Sequence, residues 1–349
     1  MIKCVIWDLD NTLLDGVYLE SDQPPPANRQ LAAILTELAG RGILHAIASR
    51  NPAEAARYAQ DATGHAFAAA RCGWGTKSAA ITAIAAELGL ATDALAFVDD
   101  DSLERAEVAF ALPDVLVLAP QELAQAVTWP AFSPPVVTDE ARRRGELYLR
   151  RRARGEEARA FGGSRDEFLR YCQTRVRISA ATSADLPRLH ELSVRTHQFN
   201  SAGTAVGEAE LAGYLGSVGW RVVAVALSDR FGDDGLVGGC VIGTEPDAWQ
   251  VPLLMMSCRA MGRGVIDALL AWICLAAMNA GARSVSLPCV LNPRNVPLRI
   301  ALVGAGFRTG EPATGEPATS GDVRAASYVR PLDPPLPVLP DWVTGEAGA

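Results

Sequence analysis

The sequence has no Cys-x-x-Cys pair, no long apolar run and no excess of basic residues, and each absence excludes a class of protein. Its seven cysteines are scattered and odd in number. This argues against a disulfide framework or a zinc site and favours reduced thiols in a cytoplasm. The formal net charge of -8 argues against a broad nucleic-acid surface. The longest apolar run, Ala268 to Met278, is too short to span a membrane and indicates a buried helix.

The sequence also shows no internal repeat, and a strand pattern starts almost at Met1, so we expect no signal peptide and a cytoplasmic location. A length of 349 residues exceeds what one hydrophobic core usually supports, which predicts two domains. We expect the following boundaries: a first domain over residues 1–125, a helical linker over 126–174, a second domain over 175–332 and a proline-rich tail over 333–349.

Short apolar strands alternate with helix patterns through the first 120 residues, as in a doubly wound parallel α/β sheet. The arginine-rich stretch that follows has interleaved glutamates, so we interpret it as a solvated connecting helix rather than a binding patch. A second α/β pattern then includes strands at Val222 to Ala226 and Leu236 to Ile242, separated by a polar loop. We expect the proline-rich tail to be poorly ordered.

Polar side chains gather at the predicted ends of three strands in the first domain. Ligands of an open parallel sheet bind outside the carboxyl ends of its strands. Folding should therefore bring these side chains into one crevice, together with a lysine that opens a helix. The residues are Asp8, Asp10 and Thr12 after the first strand, Ser49, Arg50 and Asn51 after the second, Lys77 on the helix, and Asp99 and Asp100 after a later strand.

Such a crevice suits phosphoryl transfer. Clustered carboxylates repel one another unless a cation is present, and hard oxygen ligands favour Mg²⁺. A carboxylate can attack phosphorus in line, while a second one, two residues later, serves as acid and base. An Asp-x-Asp pair alone could equally be a turn or a helix cap. The complete ordered set is far more specific.

This set of motifs resembles the haloacid dehalogenase (HAD) superfamily of phosphotransferases. The resemblance implies that Asp8 is the nucleophile and Asp10 the general acid and base, and that Ser49 and Lys77 hold the phosphoryl group. It also implies Mg²⁺ held by Asp8, the Asp10 backbone carbonyl and an acidic side chain at Asp99 or Asp100. The segments after the first two strands are short, so we expect no cap domain and an open site.

The second domain contains a glycine turn between an apolar strand and a long helix, Arg259-Ala260-Met261-Gly262-Arg263-Gly264. It resembles the loop with which GNAT-like acyltransferases bind the pyrophosphate of coenzyme A or a phosphopantetheine group through backbone N–H groups. Cys258 immediately precedes the turn. Most free cysteines are buried small hydrophobes. A strand end beside Arg259 and Arg263 would instead favour a reactive thiolate.

A further polar cluster, Arg195-Thr196-His197-Gln198-Phe199-Asn200, lies near the start of the second domain. His197 could be a catalytic base or a satisfied polar side chain, and the residues alone do not decide between these. Gln198 and Asn200 are candidate substrate-binding residues.

The whole chain, from about residue 2 to residue 330, resembles the FkbH-like proteins of polyketide pathways. Long strings carry the resemblance: KCVIWDLDNTLLDG, FVDDDSLERAEV, RTHQFN, DRFGDDGLVGG and SCRAMGRGV. It implies an enzyme that takes the glyceryl unit of 1,3-bisphosphoglycerate, removes phosphate and loads the unit onto the phosphopantetheine arm of an acyl carrier protein. Cys258 would hold the acyl group as a thioester, and Mg²⁺ would assist the phosphatase step.

The sequence departs from the FkbH-like pattern at Arg50, where lysine is expected, at His197, where asparagine is usual, and at Ile266, where glutamate is expected. These departures leave open a lactyl or other three-carbon acyl group. Two other interpretations remain open. One is a HAD phosphatase of a small metabolite fused to an acetyl-CoA-dependent N-acetyltransferase. In the other, the second domain only docks a carrier protein.

Overall fold

The computed structural model describes residues 1–20, 23–310, 325–333 and 338–345. The chain divides into two compact units, Met1–Gly155 and Glu156–Ala349. The division lies inside a single helix, Arg144–Ala160, so the stretch expected to be a linker is shared between the units.

The first unit is built on a five-stranded sheet in the order β3-β2-β1-β4-β5, in which every neighbouring pair is parallel. Helices connect successive strands. The elements are β1 (Cys4–Trp7), α1 (Arg29–Gly40), β2 (Leu44–Ser49), α2 (Ala53–Thr63), β3 (Ala69–Cys72), α3 (Lys77–Leu88), β4 (Leu95–Val98), α4 (Ser102–Ala111), β5 (Leu116–Leu118), α5 (Pro120–Ala126), α6 (Asp139–Arg142) and α7 (Arg144–Ala160).

The central strand β1 is buried on both faces, which explains its unbroken apolar sequence. Val5 and Trp7 pack in one core, and Cys4 and Ile6 pack in the other. Each core receives the apolar stripe of a helix. Helix α1 contributes Leu31, Ile34, Leu35 and Leu38 to the first, and α3 contributes Ile81, Ile84, Ala85 and Leu88 to the second.

The second unit contains an eight-stranded sheet in the order β11-β12-β10-β9-β8-β7-β6-β13. Its pairs are antiparallel except β9 with β10 and β6 with β13. The elements are α8 (Arg165–Tyr171), β6 (Arg175–Ala180), α9 (Leu186–Arg195), α10 (Glu208–Leu215), β7 (Trp220–Asp229), β8 (Gly232–Thr244), β9 (Ala248–Met256), α11 (Val265–Asn279), β10 (Ser284–Val290), α12 (Val296–Gly304), β11 (Arg308–Gly310), β12 (Ala325–Pro331) and β13 (Val343–Gly345).

The two sheets confirm the expected fold class, a HAD-like parallel α/β sheet followed by a GNAT-like α/β domain. No helix in the described parts of the chain is long and apolar enough to span a membrane.

Two expectations about the second unit were wrong. The polar stretch between β7 and β8 is not a long loop, because both strands extend through it and leave only a tight turn at Arg230 and Phe231. The alternating pattern is weak there because the side chains are charged. Part of the proline-rich tail is ordered, since Val343–Gly345 pairs with β6 and covers an otherwise open sheet edge.

A buried histidine links the two central strands of the first unit. The indole N–H of Trp7 donates to Nδ1 of His45 over 3.0 Å. Burial, with a smaller contribution from nearby His65, lowers the pKa of His45 from 6.5 to about 3. The folded protein therefore holds His45 neutral at pH values where the unfolded chain already binds a proton.

We expect this histidine to make the fold acid-sensitive. Between pH 6.5 and about 3, the unfolded state binds one more proton at this site, so the free energy of unfolding falls as pH falls. One proton corresponds to about 1.4 kcal/mol per pH unit. His45→Gln retains an acceptor for Trp7 but does not titrate, so urea unfolding across this range should show a slope smaller by one proton. An unchanged slope would contradict this account.

Candidate active sites

The predicted carboxylate cluster forms at the carboxyl ends of β1 and β4. Asp8 follows β1 directly, and its backbone N–H donates to the carbonyl of Val98 over 2.9 Å, which continues the pairing of the two strands. The chain then makes an irregular helical turn over Leu9–Leu13, with Asn11 in the left-handed region at φ 52°. This turn directs the chain out of the sheet within a few residues and buries Thr12 beneath the crevice.

Lys77 is the cation of the cluster. It is the first residue of α3, where the Thr76 side chain caps the helix. Its Nζ donates to Asp8, lies 3.0 Å from Asp99 Oδ2 and donates to the carbonyl of Ala48 over 2.9 Å. One buried ammonium therefore faces two buried carboxylates.

The cluster carries more negative than positive charge. Carboxylate oxygens of Asp8, Asp99 and Asp100 lie within 4.8 Å of one another. Burial is the main cause that raises the pKa of Asp8 to about 7; Asp99 raises it further and Lys77 opposes the rise. Burial and Asp99 also raise the pKa of Asp100. Oxygen ligands with a surplus of negative charge fit Mg²⁺, which would relieve the repulsion.

Asp10, the other residue of the predicted metal set, is oriented differently. Its Oδ1 accepts from the backbone N–H of Tyr18, and its Oδ2 accepts from Asn51 Nδ2, both over 2.9 Å. Its carboxylate is not part of the three-residue metal cluster. This arrangement leaves Asp10 beside the cluster as a separate acid or base.

The remaining predicted phosphoryl-binding residues have distinct contacts. Thr12 Oγ1 accepts from the backbone N–H of Asp100 over 3.1 Å, and Ser49 Oγ accepts from Asn51 Nδ2 over 3.0 Å. Arg50 is half-exposed and pairs with Glu104 over 2.7 Å. No motif in the sequence indicated Glu104, because it is a single acid on helix α4.

In the second unit, the predicted glycine turn leads into α11. Gly262 and Gly264 adopt φ values of +74° and +69°, in the left-handed region that glycine tolerates best. A Cβ at Gly264 would lie 2.6 Å from the ring of Trp342. Arg165 Nε donates to the carbonyl of Gly262 over 3.1 Å. The turn is thus packed against the ordered part of the tail and against α8.

Arg263 has a structural environment that the sequence did not indicate. Its guanidinium donates to Asp234 on β8 and, over 2.7 Å, to Asp229 at the end of β7. The three side chains are almost fully buried. The longer β7–β8 hairpin supplies both acids. Arg259 is also buried, and its Nε donates to Ser257 Oγ over 3.3 Å.

Cys258 follows β9 in a short helical turn and is partly buried. The segment Phe199–Ser201 lies along the end of the same strand. Met256 N–H donates to the Phe199 carbonyl over 2.9 Å, and Ser201 N–H donates to the Leu254 carbonyl over 3.0 Å. His197 and Gln198 immediately precede this segment, so they belong to the same end of β9 as Cys258.

Phe199–Ser201 also fills a gap between two strands. β9 and β10 pair only where residues 248–250 face 284–286, and they separate afterwards. The Ser201 carbonyl accepts from Val290 N–H on β10 over 2.8 Å. Asn200 fastens the segment, because its Nδ2 donates to the carbonyls of Ser193 and Thr204 over 3.1 and 3.0 Å. The predicted substrate-binding role of Asn200 therefore competes with a structural one.

Comparisons with known proteins found solved structures similar to each part of the chain. The N-terminal part of BF1531 from Bacteroides fragilis, which contains a phosphatase domain complexed with Mg, is 25% identical over 34% of this chain and 36% of that one, with a TM-score of 0.31. The ribosomal-protein-S18-alanine N-acetyltransferase from Escherichia coli is 16% identical over 45% of this chain and 94% of that one, with a TM-score of 0.36.

A GNAT superfamily phosphinothricin acetyltransferase from Sinorhizobium meliloti, in complex with AcCoA, is 19% identical over 45% of this chain and 88% of that one, with a TM-score of 0.34. No family model matches the chain, and no curated protein matches it. The chain spans about a third of the length of the phosphatase-domain protein.

We expect Mg²⁺ to stabilise the first unit through the carboxylate cluster. Saturating the site hundredfold above its Kd would add about 2.7 kcal/mol to the free energy of unfolding. Because the proton on Asp8 must leave, the shift in Tm should be larger at about pH 8 than at about pH 5.5. Asp99→Asn should remove most of this shift, and the exposed Asp114→Asn should retain it. Equal shifts in both variants would contradict a magnesium site here.

We expect Arg263 to be essential for stability. Arg263→Met keeps most of the volume but removes the guanidinium from two buried carboxylates, which should lower the free energy of unfolding by about 3–5 kcal/mol. Arg283 pairs with Asp247 on the surface and serves as the control, since Arg283→Met should change little. Urea unfolding of the two variants decides the point. An Arg263→Met protein as stable as the wild type would contradict this structural role and would favour a ligand-binding role for Arg263.

Proposed function

We propose that the protein dephosphorylates 1,3-bisphosphoglycerate and loads its glyceryl unit, or a related three-carbon acyl unit, onto an acyl carrier protein for polyketide biosynthesis. The observation that carries the proposal is the cluster of Asp8, Asp99 and Asp100, in which buried Lys77 pairs with the two buried acids Asp8 and Asp99, with Asp10 held beside it. The FkbH-like sequence strings that link this cluster to Cys258 support the choice of substrate.

In the first chemical step, an Asp8 oxygen attacks the phosphorus of the phosphoester. The bond from phosphorus to the ester oxygen breaks, and Asp10 donates a proton to the leaving alkoxide. Mg²⁺ bound by Asp8, Asp99 and Asp100 would neutralise charge on the phosphoryl oxygens. Lys77 and Ser49 orient the same group. Water then releases phosphate from Asp8 and gives a proton to Asp10.

The acyl step uses the second unit. A mixed acyl phosphate has an activated carbonyl, so the Cys258 thiolate can attack it without ATP. The bond from the carbonyl carbon to the phosphate oxygen breaks, phosphate leaves and a thioester forms. The thiol of the carrier's phosphopantetheine arm attacks this thioester in turn and releases Cys258. Because one thioester replaces another, the second transfer requires mainly the positioning of two thiols.

The backbone of the Arg259–Gly264 turn is the proposed phosphate contact of the arm, because it lies at the N-terminus of a 15-residue helix. The guanidinium of buried Arg263 pairs with Asp229 and Asp234, so we assign it to stabilising the β7–β8 hairpin rather than to binding the arm. His197 is the proposed base for the thiols, since it lies two residues before Phe199, whose carbonyl accepts from Met256 N–H at the end of β9, two residues before Cys258.

Intact-protein mass spectrometry tests the proposal. The enzyme is mixed with Mg²⁺ and freshly generated 1,3-bisphosphoglycerate, with and without phosphopantetheinylated carrier protein. We expect an acyl adduct on the wild type that moves to the carrier. Cys258→Ala should lose the adduct, because the attacking sulfur is gone. Cys72→Ala, which removes another partly buried thiol, should retain it.

Three outcomes would contradict parts of the proposal. Phosphate release with no adduct on enzyme or carrier would favour a phosphatase of a small metabolite. Carrier loading by Cys258→Ala would reduce the second unit to a docking module. Acetyl transfer from acetyl-CoA to an amine would favour the fused N-acetyltransferase.

A further inference from the structure

Asn51 is buried next to the proposed acid and base of the phosphatase step. It follows β2 by two residues and is about 1% exposed. Its Nδ2 donates to Asp10 Oδ2 over 2.9 Å and to Ser49 Oγ over 3.0 Å. Tyr18 N–H binds the other oxygen of Asp10 over 2.9 Å. Together, the two donors fix both carboxylate oxygens of Asp10.

These contacts also determine the orientation of the Asn51 amide. Once Asp10 has given its proton to the leaving group, its carboxylate only accepts hydrogen bonds, so at the hydrolysis step the NH₂ group must face Asp10 and the carbonyl oxygen must face elsewhere. That oxygen, Oδ1, is fully buried and has no hydrogen-bond partner among the described residues. A buried acceptor without a donor is costly, and such a group calls for an explanation.

We propose that Asn51 is a positioning residue for the hydrolytic water of the phosphatase step. Asn51 Nδ2 holds Asp10, and Asn51 Oδ1 accepts a hydrogen from the water that attacks the phosphorylated Asp8. This inference rests on the proposed function, because it needs an aspartyl-phosphate intermediate. It assigns Asn51 to the second half of the reaction rather than to binding of the phosphoryl group.

The step is balanced. The water oxygen forms a bond to phosphorus, and the bond from phosphorus to the Asp8 oxygen breaks and leaves its electron pair on Asp8. One water proton passes to Asp10, and the other hydrogen stays on the released phosphate. Asn51 exchanges no proton. Its two contacts set the direction of the water oxygen and of the receiving carboxylate.

The same geometry predicts how the two half-reactions respond to substitution. Loss of the Asn51 amide leaves Asp8, Lys77 and the metal ligands in place. With acetyl phosphate as donor, the leaving acetate needs no proton from Asp10, so phosphorylation of Asp8 continues. It frees one oxygen of Asp10 and removes the acceptor for water, so dephosphorylation slows. The phosphorylated enzyme then accumulates, which is a signature that a general loss of stability does not produce.

The test is rapid-quench intact-protein mass spectrometry of the full chain with Mg²⁺ and acetyl phosphate as the phosphoryl donor. We expect Asn51→Ala to slow dephosphorylation on the order of tenfold, which is less than the roughly 10²–10⁴-fold effect of losing acid–base assistance outright, because Asp10 itself remains. The phosphorylated fraction at steady state should rise accordingly. Asn51→Ser, whose smaller hydroxyl can still donate towards Asp10, should accumulate less and serves if Asn51→Ala does not fold.

Asn28 provides a matched control. It also donates from Nδ2 to an aspartate, Asp15, over 2.7 Å, but it lies at the start of α1 and outside the cluster. Asn28→Ala should lower stability without raising the phosphorylated fraction.

The outcomes separate the inference from the function on which it rests. A wild-type enzyme that never carries phosphate on Asp8 would overturn both. If the wild type is phosphorylated, but Asn51→Ala matches it in phosphorylated fraction and hydrolysis rate, the inference alone falls. Loss of phosphorylation itself in Asn51→Ala would show a substrate-binding role and would also overturn it.

Discussion

Repulsion between carboxylates is the constraint that organises the first unit. Asp8, Asp99 and Asp100 are forced together because the chain leaves two neighbouring parallel strands at the same edge. Burial makes the charges of Asp8 and Asp99 costly, and one ammonium, Lys77, compensates only part of the negative charge. The helix that begins at Lys77 is therefore placed by electrostatics as well as by its apolar stripe. The proposed Mg²⁺ would neutralise the negative charge that remains.

The second unit also buries charge, but it balances that charge with its own side chains. Arg263 is enclosed by two acids from one hairpin, so its charge is balanced before any ligand arrives. The backbone N–H groups of the glycine turn are therefore its proposed contacts with a phosphate group. The two units thus differ in how they use buried charge. The first unit keeps a surplus of negative charge at its proposed metal site. The second unit neutralises its buried arginine with two acids.

The sequence predicted the clustering of the carboxylates in the first unit because the signal for it is local. Asp8, Ser49 and Asp99 each follow a short apolar strand, and parallel topology alone brings such residues together. The hydrogen bond from Asn51 to Asp10 and the ion pairs of Arg263 could not be predicted individually, since these partners lie tens of residues away in sequence and follow no periodic pattern. The β7–β8 hairpin was underestimated for a similar reason, because charged residues within its strands resemble a loop. Strand β13 was missed because it follows a proline-rich stretch and its pairing partner is distant in sequence.

The segment Phe199–Ser201 joins two strands that would otherwise part. The amides of Leu254, Met256 and Val290 all donate to this tripeptide, through the Ser201 hydroxyl, the Phe199 carbonyl and the Ser201 carbonyl respectively. The protection of these three amide hydrogens from exchange with solvent therefore depends on the segment Phe199–Ser201. If this segment moves, all three amide hydrogens should exchange together. Their exchange rates would then report on local opening next to Cys258.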